Sequence, residues 1–332
     1  MGADRPGEFE LIKRYFAPLA NDPGSLGLTD DAAVLTPRAG YDLVLTKDVL
    51  AADIHFFADD APEAIAAKAL RVNLSDLAAK GARPRGYLLG LALPSNWTES
   101  WLCRFCKGLA ADQAAFDVQL LGGDTIRSGN GLQVSVTAIG EVATGRAVRR
   151  SGARPGDLLF VTGTIGDAAA GLKARLDPQF CKTHGLSAVQ ERHILDRYLL
   201  PRPRTRLAGP LTEYANAAMD ISDGLIADCA HMAKASGVGI SIDMDKVPLS
   251  DVLRDLKGRS ADDLAGYLNG GDDYEILASV CEQKAQEFMT AAEVADCPVT
   301  AVGRVTEDKG TVKLLAGGKP VVYAQEGGFR HF

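Results

Sequence analysis

Apolar positions recur at helix or strand spacing along most of the chain. In residues 8–20, Phe9, Ile12, Phe16 and Leu19 fall on one face, which predicts an amphipathic helix. After a loop with Pro23 and Gly24, "YDLVLTKDVL" is an apolar, β-branched run that reads as a strand with Asp48 near its C-terminal end. Pro62 opens a helix that Gly81 ends, the expected asymmetry of helix start and stop. "YLLGLALP" reads as a buried strand, and Thr98 caps a helix running to Phe116. "VQLLGGDT" reads as a strand ending at a Gly-Gly-Asp loop, and "LQVSVTAIGEV" alternates as a half-buried strand does.

The cluster "RRSGARPGD" interrupts this pattern, and it divides the chain into a domain of residues 1–148 and one of 149–332. The second begins with the strand "LLFVTG" and the glycine turn "GTIGDAAAG", whose spacing suits either a phosphate loop or a tight strand–helix turn. Helices are expected over 173–200, then the strand "NAAMDIS", a helix closed by Gly237, the strand "GISIDM", a second Gly-Gly-Asp loop and terminal strands. The fold class is therefore mixed α/β (α+β).

A length of 332 residues fits two domains better than one core. The net charge of −7 argues against a nucleic-acid surface, and no apolar run is long enough to cross a bilayer. Six scattered cysteines suggest a reducing compartment, so a cytoplasmic protein is expected. Cys103 and Cys106 form a C-x-x-C on a helix with no second pair nearby, so they are read as packing residues.

The chemistry is in the acids. Asp31, Asp48, Asp76, Asp124, Asp220, Asp223 and Asp272 lie mostly at strand ends or glycine loops, where α/β proteins bind ligands. One such aspartate is ordinarily a cap or turn residue. Several that converge need a counter-charge, and Mg2+ is the natural one because it bridges carboxylates to substrate phosphates. In "MDISDGL", Asp220 ends a strand, and Ser222 and Asp223 begin a helix whose N-terminus suits phosphate. Neither the G-x-x-x-x-G-K-[ST] loop nor the protein-kinase set is present. The residues alone imply Mg2+-dependent phosphate chemistry on another scaffold.

In order along the chain, "GEFELIKRYF", "TDDAAVL", "TKDVLAADIHF", "KALRVNLSDLAAKGARP", "LLGGDT", "RSGARPGDLLFVTGTIGDAAAGL", "MDISDGL", "GGDDYEIL" and the ending "HF" resemble the thiamine-monophosphate kinases. The resemblance implies a two-domain AIR-synthetase-like fold, with an N-terminal mixed-sheet domain that dimerises and a C-terminal α/β domain. It implies ATP-dependent conversion of thiamine monophosphate to thiamine diphosphate with Mg2+ by a homodimer. By motif, Asp31, Asp48, Asp76, Asp124, Asp220 and Asp223 would be metal ligands, with Thr46 and Lys47, which adjoin Asp48, contributing oxygen contacts to the metal. Gly123, Asp124, Arg150 and Ser222 would contact ATP. His55, Asp272 and a C-terminal aromatic such as Phe329 would contact the substrate. Two positions depart from the family's usual residues: Lys47 stands where a hydroxyl is common, and Asp272 where Glu is common. The other readings are a different ATP-using AIR-synthetase-like enzyme and a metal- or nucleotide-binding module without catalysis.

Overall fold

The computed structural model describes residues 6–256 and 261–321. They form two compact units. The first comprises the chain up to Leu77 together with Ala82–Gly145, and the second comprises Ala78–Gly81 and the chain from Arg146 onward.

In the first unit the predicted N-terminal helix is not a single α-helix. α1 (Glu8–Leu11) passes into a π-turn over Ile12–Phe16 and a 3-10 turn over Ala17–Leu19. The wide π-turn re-phases the side chains, and Pro18 cannot extend an α-helical ladder. Leu11, Phe16 and Leu19 are consequently buried, whereas Phe9 is exposed, contrary to the face that a 3.6-residue period predicts. β1 (Tyr41–Ala51), α2 (Pro62–Ala79), β2 (Arg83–Leu93), α3 (Glu99–Phe116), β3 (Gln119–Arg127) and β4 (Gln133–Ala143) follow. The sheet order is β1-β4-β2-β3, antiparallel except for the parallel β2–β3 pair. Thr98 caps α3 by accepting the Trp101 N–H at 3.1 Å. Arg71 of α2 makes a two-pronged pair with the buried Asp112 of α3, which ties the two helices together.

The two faces of this sheet differ. Val134, Val136 and Ala138 are buried on the face that Thr46 and Asp48 share by register, and α2 lies there. Leu43, Leu45, Val49, Leu88 and Ile126 stand exposed on the other. Strand β3 does not end at Gly-Gly-Asp as predicted but runs through it to Arg127.

The second unit contains β5 (Leu158–Thr162), α4 (Asp167–Leu176), α5 (Phe180–Thr183), α6 (Ala188–Leu199), α7 (Ala208–Tyr214), β6 (Ala215–Ile221) and α8 (Leu225–Ser236). It continues with β7 (Gly239–Asp243), α9 (Asp251–Leu256), α10 (Ala261–Leu268), β8 (Glu275–Val280), α11 (Ala285–Val294), β9 (Val299–Thr306), β10 (Val312–Ala316) and β11 (Lys319–Val321). Its seven strands run in the order β11-β10-β7-β9-β5-β8-β6. Alternation along β5 serves two cores: Leu159 and Val161 pack with Leu225, Cys229 and Met232 of α8, and Phe160 packs with Leu211 of α7 and Phe288 of α11.

A buried polar knot stands behind the end of β8. Glu275 accepts from Arg197 of α6 at 2.8 Å, from both prongs of Arg204 and from the Thr162 hydroxyl. Next to it, both oxygens of Asp273 accept the Gly166 N–H, at 3.0 and 2.9 Å. Burial pushes the Asp273 carboxyl up to about 8, against the pull of Arg197. The glycine turn that could have cradled a phosphate is therefore closed by the chain's own carboxylate. The helices expected over 173–200 are present, and α6 anchors this knot through Arg197.

Candidate active site

In the first unit, alternation along β1 puts Thr46 and Asp48 on one face and Lys47 on the other. α2 brings Asn73 and Asp76 up to that face. The Thr46 hydroxyl donates to Asp76 at 2.5 Å, and the Asp48 N–H donates to the Asn73 side-chain oxygen at 3.1 Å. Burial, and then the neighbouring Asp76, push the Asp48 carboxyl from 3.8 up to about 6. The donors here are hard oxygens whose mutual repulsion is already felt in the protein, and a divalent cation relieves such repulsion. Lys47 points away, and its ammonium meets the Ser135 hydroxyl at 2.5 Å. Its side chain offers no oxygen, so only its carbonyl could serve a metal. Asp31 lies in an exposed loop, its N–H on the Asp30 carboxylate at 2.7 Å.

Asp124 is not gathered with these groups. Its registered partners, Gly90 and then Ser135 and Val49, put it on the outward face, while Asp48 registers through Val136 and Leu89 with Gly123. β1 and β3 are opposite edges, three strand spacings or about 14 Å apart. Within one unit Asp124 and Asp48 cannot share an ion. Gly123 is required by close strand approach, since a Cβ there would lie 1.9 Å from the Leu89 carbonyl oxygen.

His55 follows β1 in a turn. Its Nδ1 accepts the Ala51 N–H at 3.1 Å, so in the neutral ring the proton is on Nε2, which becomes a donor. The His55 carbonyl accepts from the buried Lys68 of α2 at 2.9 Å, which fixes the turn.

In the second unit, Asp220 is buried near the end of β6. The helix after it starts later than predicted: α8 begins at Leu225, with Gly224 at its N-cap position, and neither Ser222 nor Asp223 caps it. Instead Asp228, in the first turn of α8, reaches back to the N–H groups of Ser222 and Asp223. Burial first, then Asp223 and Asp220, push the Asp228 carboxyl up to about 8. Ligand atoms of Asp223, Asp228 and His231 lie within 4.8 Å of one another. The Asp272 N–H donates to the Ser222 carbonyl at 2.8 Å, which brings the "MDISDGL" and "GGDDYE" segments together. The Arg149 carbonyl accepts the Ala218 N–H, which seats Arg150 alongside β6. Phe329 lies outside the described residues.

Asn73, Lys68, Asp228 and Asn269 were not singled out from the sequence. Asp228 carried a weak signal, as an acid one turn into a helix, but that pattern ordinarily means only a favourable charge at the N-terminus.

The AIR synthase related protein N-terminal domain matches residues 29–142, and the AIR synthase related protein C-terminal domain matches residues 154–314. The thiamine-monophosphate kinase of Caulobacter vibrioides is 43% identical over 94% of this chain and 88% of its own length. A crystal structure of thiamine-monophosphate kinase from Stenotrophomonas maltophilia K279a superposes with a TM-score of 0.81 at 40% identity, covering 95% of this chain and 98% of that one. The structure "AaThiL complexed with AMPPCP and TMP" superposes with a TM-score of 0.76 at 32% identity, covering 100% of this chain and 99% of that one.

Proposed function

The chain belongs to the AIR synthase related family, among its thiamine-monophosphate kinases, and from that premise we propose that it transfers the γ-phosphoryl group of ATP directly, in line, to the phosphate of thiamine monophosphate, with Mg2+. The supporting observation is the full-length likeness to a structure described as carrying AMPPCP and TMP, together with the retention of both acid groups. Asp31, Thr46, Asp48, Asp76 and Asp124 of the first unit, and Asp220 and Asp223 of the second, are the proposed metal ligands. Gly123, Asp124, Arg150 and Ser222 would hold ATP, and His55 and Asp272 would hold the substrate. The N-terminal domain, 1–148, is assigned nucleotide and metal binding and dimerisation. The six cysteines are all unpaired, which supports a cytoplasmic setting.

The acceptor explains why this site has acids but no general base. A phosphate monoester has its second pKa near roughly 6, so at neutral pH it is mostly a dianion and already nucleophilic. The obstacle is charge: two unit charges 4 Å apart repel by about 4 kcal/mol at an effective dielectric of about 20. Bound Mg2+ supplies the neutralising charge. His55, with Nδ1 already taken by a backbone N–H, acts as an Nε2–H donor to the substrate and not as a base.

The exposed apolar face of the first sheet supports a two-fold homodimer that covers Leu43, Leu45, Val49, Leu88 and Ile126. Asp124 stands on that same outward face, so it would serve at the dimer contact.

Rapid-quench incubation with γ-labelled ATP, Mg2+ and thiamine monophosphate tests the mechanism. Label should pass into thiamine diphosphate, with none retained by the protein. A stable labelled protein on the reaction path would overturn direct transfer.

A further inference from the structure

The Asp220–Asp223 segment and the Asn269–Tyr274 segment are built as one piece. Gly224 occupies the N-cap position of α8 and has no side chain with which to cap it. The cap comes from the other segment: Asn269 accepts the Ala227 N–H through its side-chain oxygen at 3.2 Å. Asp228, 1% exposed, uses a single oxygen to accept the N–H groups of Ser222 at 3.0 Å and Asp223 at 3.1 Å. The backbones then join, with the Asp272 N–H on the Ser222 carbonyl and the Tyr274 N–H on the Ile221 carbonyl, both at 2.8 Å. Asp272 and Tyr274 are held in the left-handed region, at φ +63° and +50°, which non-glycine residues keep only when their surroundings fix them. Gly224 sits at φ +112°, and a Cβ there would lie 2.6 Å from the Asn269 backbone, so there is no slack between the two segments.

We propose that Asn269 and Asp228 are positioning residues, a clasp that holds the Asp220–Asp223 segment and Asp272 in fixed relation. The inference rests on the reading above, in which the first segment serves metal and nucleotide and Asp272 serves the substrate. Its consequence is that loosening the clasp disturbs both functions at once, although neither residue is among those assigned above to metal, nucleotide or substrate. A cap that served only the fold would lower stability and leave the kinetic constants of the folded enzyme alone.

The test measures kcat, KM for thiamine monophosphate and half-saturating Mg2+ in Asn269→Ala, Asn269→Ser, Asn269→Asp and Asp228→Ala. All are assayed well below their melting temperatures. Asn269→Ala should raise KM and half-saturating Mg2+ together, by about ten- to a hundredfold, as expected for a small misplacement of binding groups. Asn269→Ser, too short to reach Ala227, should shift both in the same direction, which keeps the test open should the alanine variant not fold. Asn269→Asp keeps the acceptor oxygen and should return both values to near wild type. Asp228→Ala should behave like Asn269→Ala, and the double variant should lose far less than the product of the two single effects. Wild-type constants in Asn269→Ala and Asn269→Ser, or an Asn269→Asp variant as impaired as the alanine one, would overturn the clasp. Wild-type turnover in the same series checks the underlying reading separately: its absence overturns both, whereas normal turnover with unmoved variants overturns the clasp alone.

Discussion

Asp48→Asn should make the metal-free protein more stable while weakening its response to Mg2+. Burial and Asp76 raise the Asp48 carboxyl from 3.8 to about 6. That is a little over two decades in proton affinity, or up to about 3 kcal/mol at 1.36 kcal/mol per decade. The sign follows from linkage: a folded pKa above the unfolded one means a contribution that is fully present below about 3.8 and lost as pH rises through about 6. At pH 8 the wild type carries the full penalty of a half-buried carboxylate beside another, and the neutral amide carries none. Urea denaturation in EDTA should therefore show Asp48→Asn more stable than wild type by up to about 3 kcal/mol at pH 8, with the gap closing as pH approaches 4. Because Mg2+ must displace the Asp48 proton, the wild type's apparent Mg2+ affinity should fall by about tenfold per pH unit below 6. A variant less stable than wild type at pH 8, or a difference independent of pH, would refute this account of the site.

Three further outcomes are expected. Asp124→Asn and Asp220→Asn should each abolish most turnover while leaving the folded structure intact by circular dichroism; near-normal turnover in both would reject the proposed metal ligation. Leu45→Asp, which puts a charge on the exposed apolar face along its β1 edge, should convert the proposed dimer to monomer in light scattering at micromolar concentration; a dimer that persisted would move the contact elsewhere. Arg197→Met should destabilise the protein by about 3–5 kcal/mol, because it leaves Glu275 and Asp273 buried with a partner missing, read as a drop in Tm of on the order of 10 °C.

The sequence was most readable where local chemistry decides structure. Thr98 caps α3, Pro62 opens α2, and Gly237 closes α8 in the left-handed region that favours glycine. Asp48 near the end of β1, Asp220 near the end of β6 and the gathering of "MDISDGL" with "GGDDYE" were also within reach of motif and pattern. What escaped depends on long-range register or on an unusual turn. Phe9 was assigned to the buried face because a π-turn cannot be seen in a 3.6-residue period. That Asp124 faces away from Asp48 within the unit is invisible to a motif, which says nothing of which face of a sheet a residue occupies. The glycine turn at 163–167 looked able to hold a phosphate because the carboxylate that fills it, Asp273, is more than a hundred residues away. Asn269 and Asp228 act on backbone N–H groups, and those bonds leave no spacing signature in the sequence.

The central claim is that the chain phosphorylates thiamine monophosphate on its phosphate, with Mg2+. The most direct measurement incubates the protein with ATP and either thiamine monophosphate or free thiamine, each with and without Mg2+, and identifies the products by chromatography. Thiamine diphosphate and ADP should form in equal amounts, only from thiamine monophosphate and only with Mg2+. Product from free thiamine at a comparable rate, product in the absence of a divalent ion, or ATP hydrolysis without thiamine diphosphate would contradict the account.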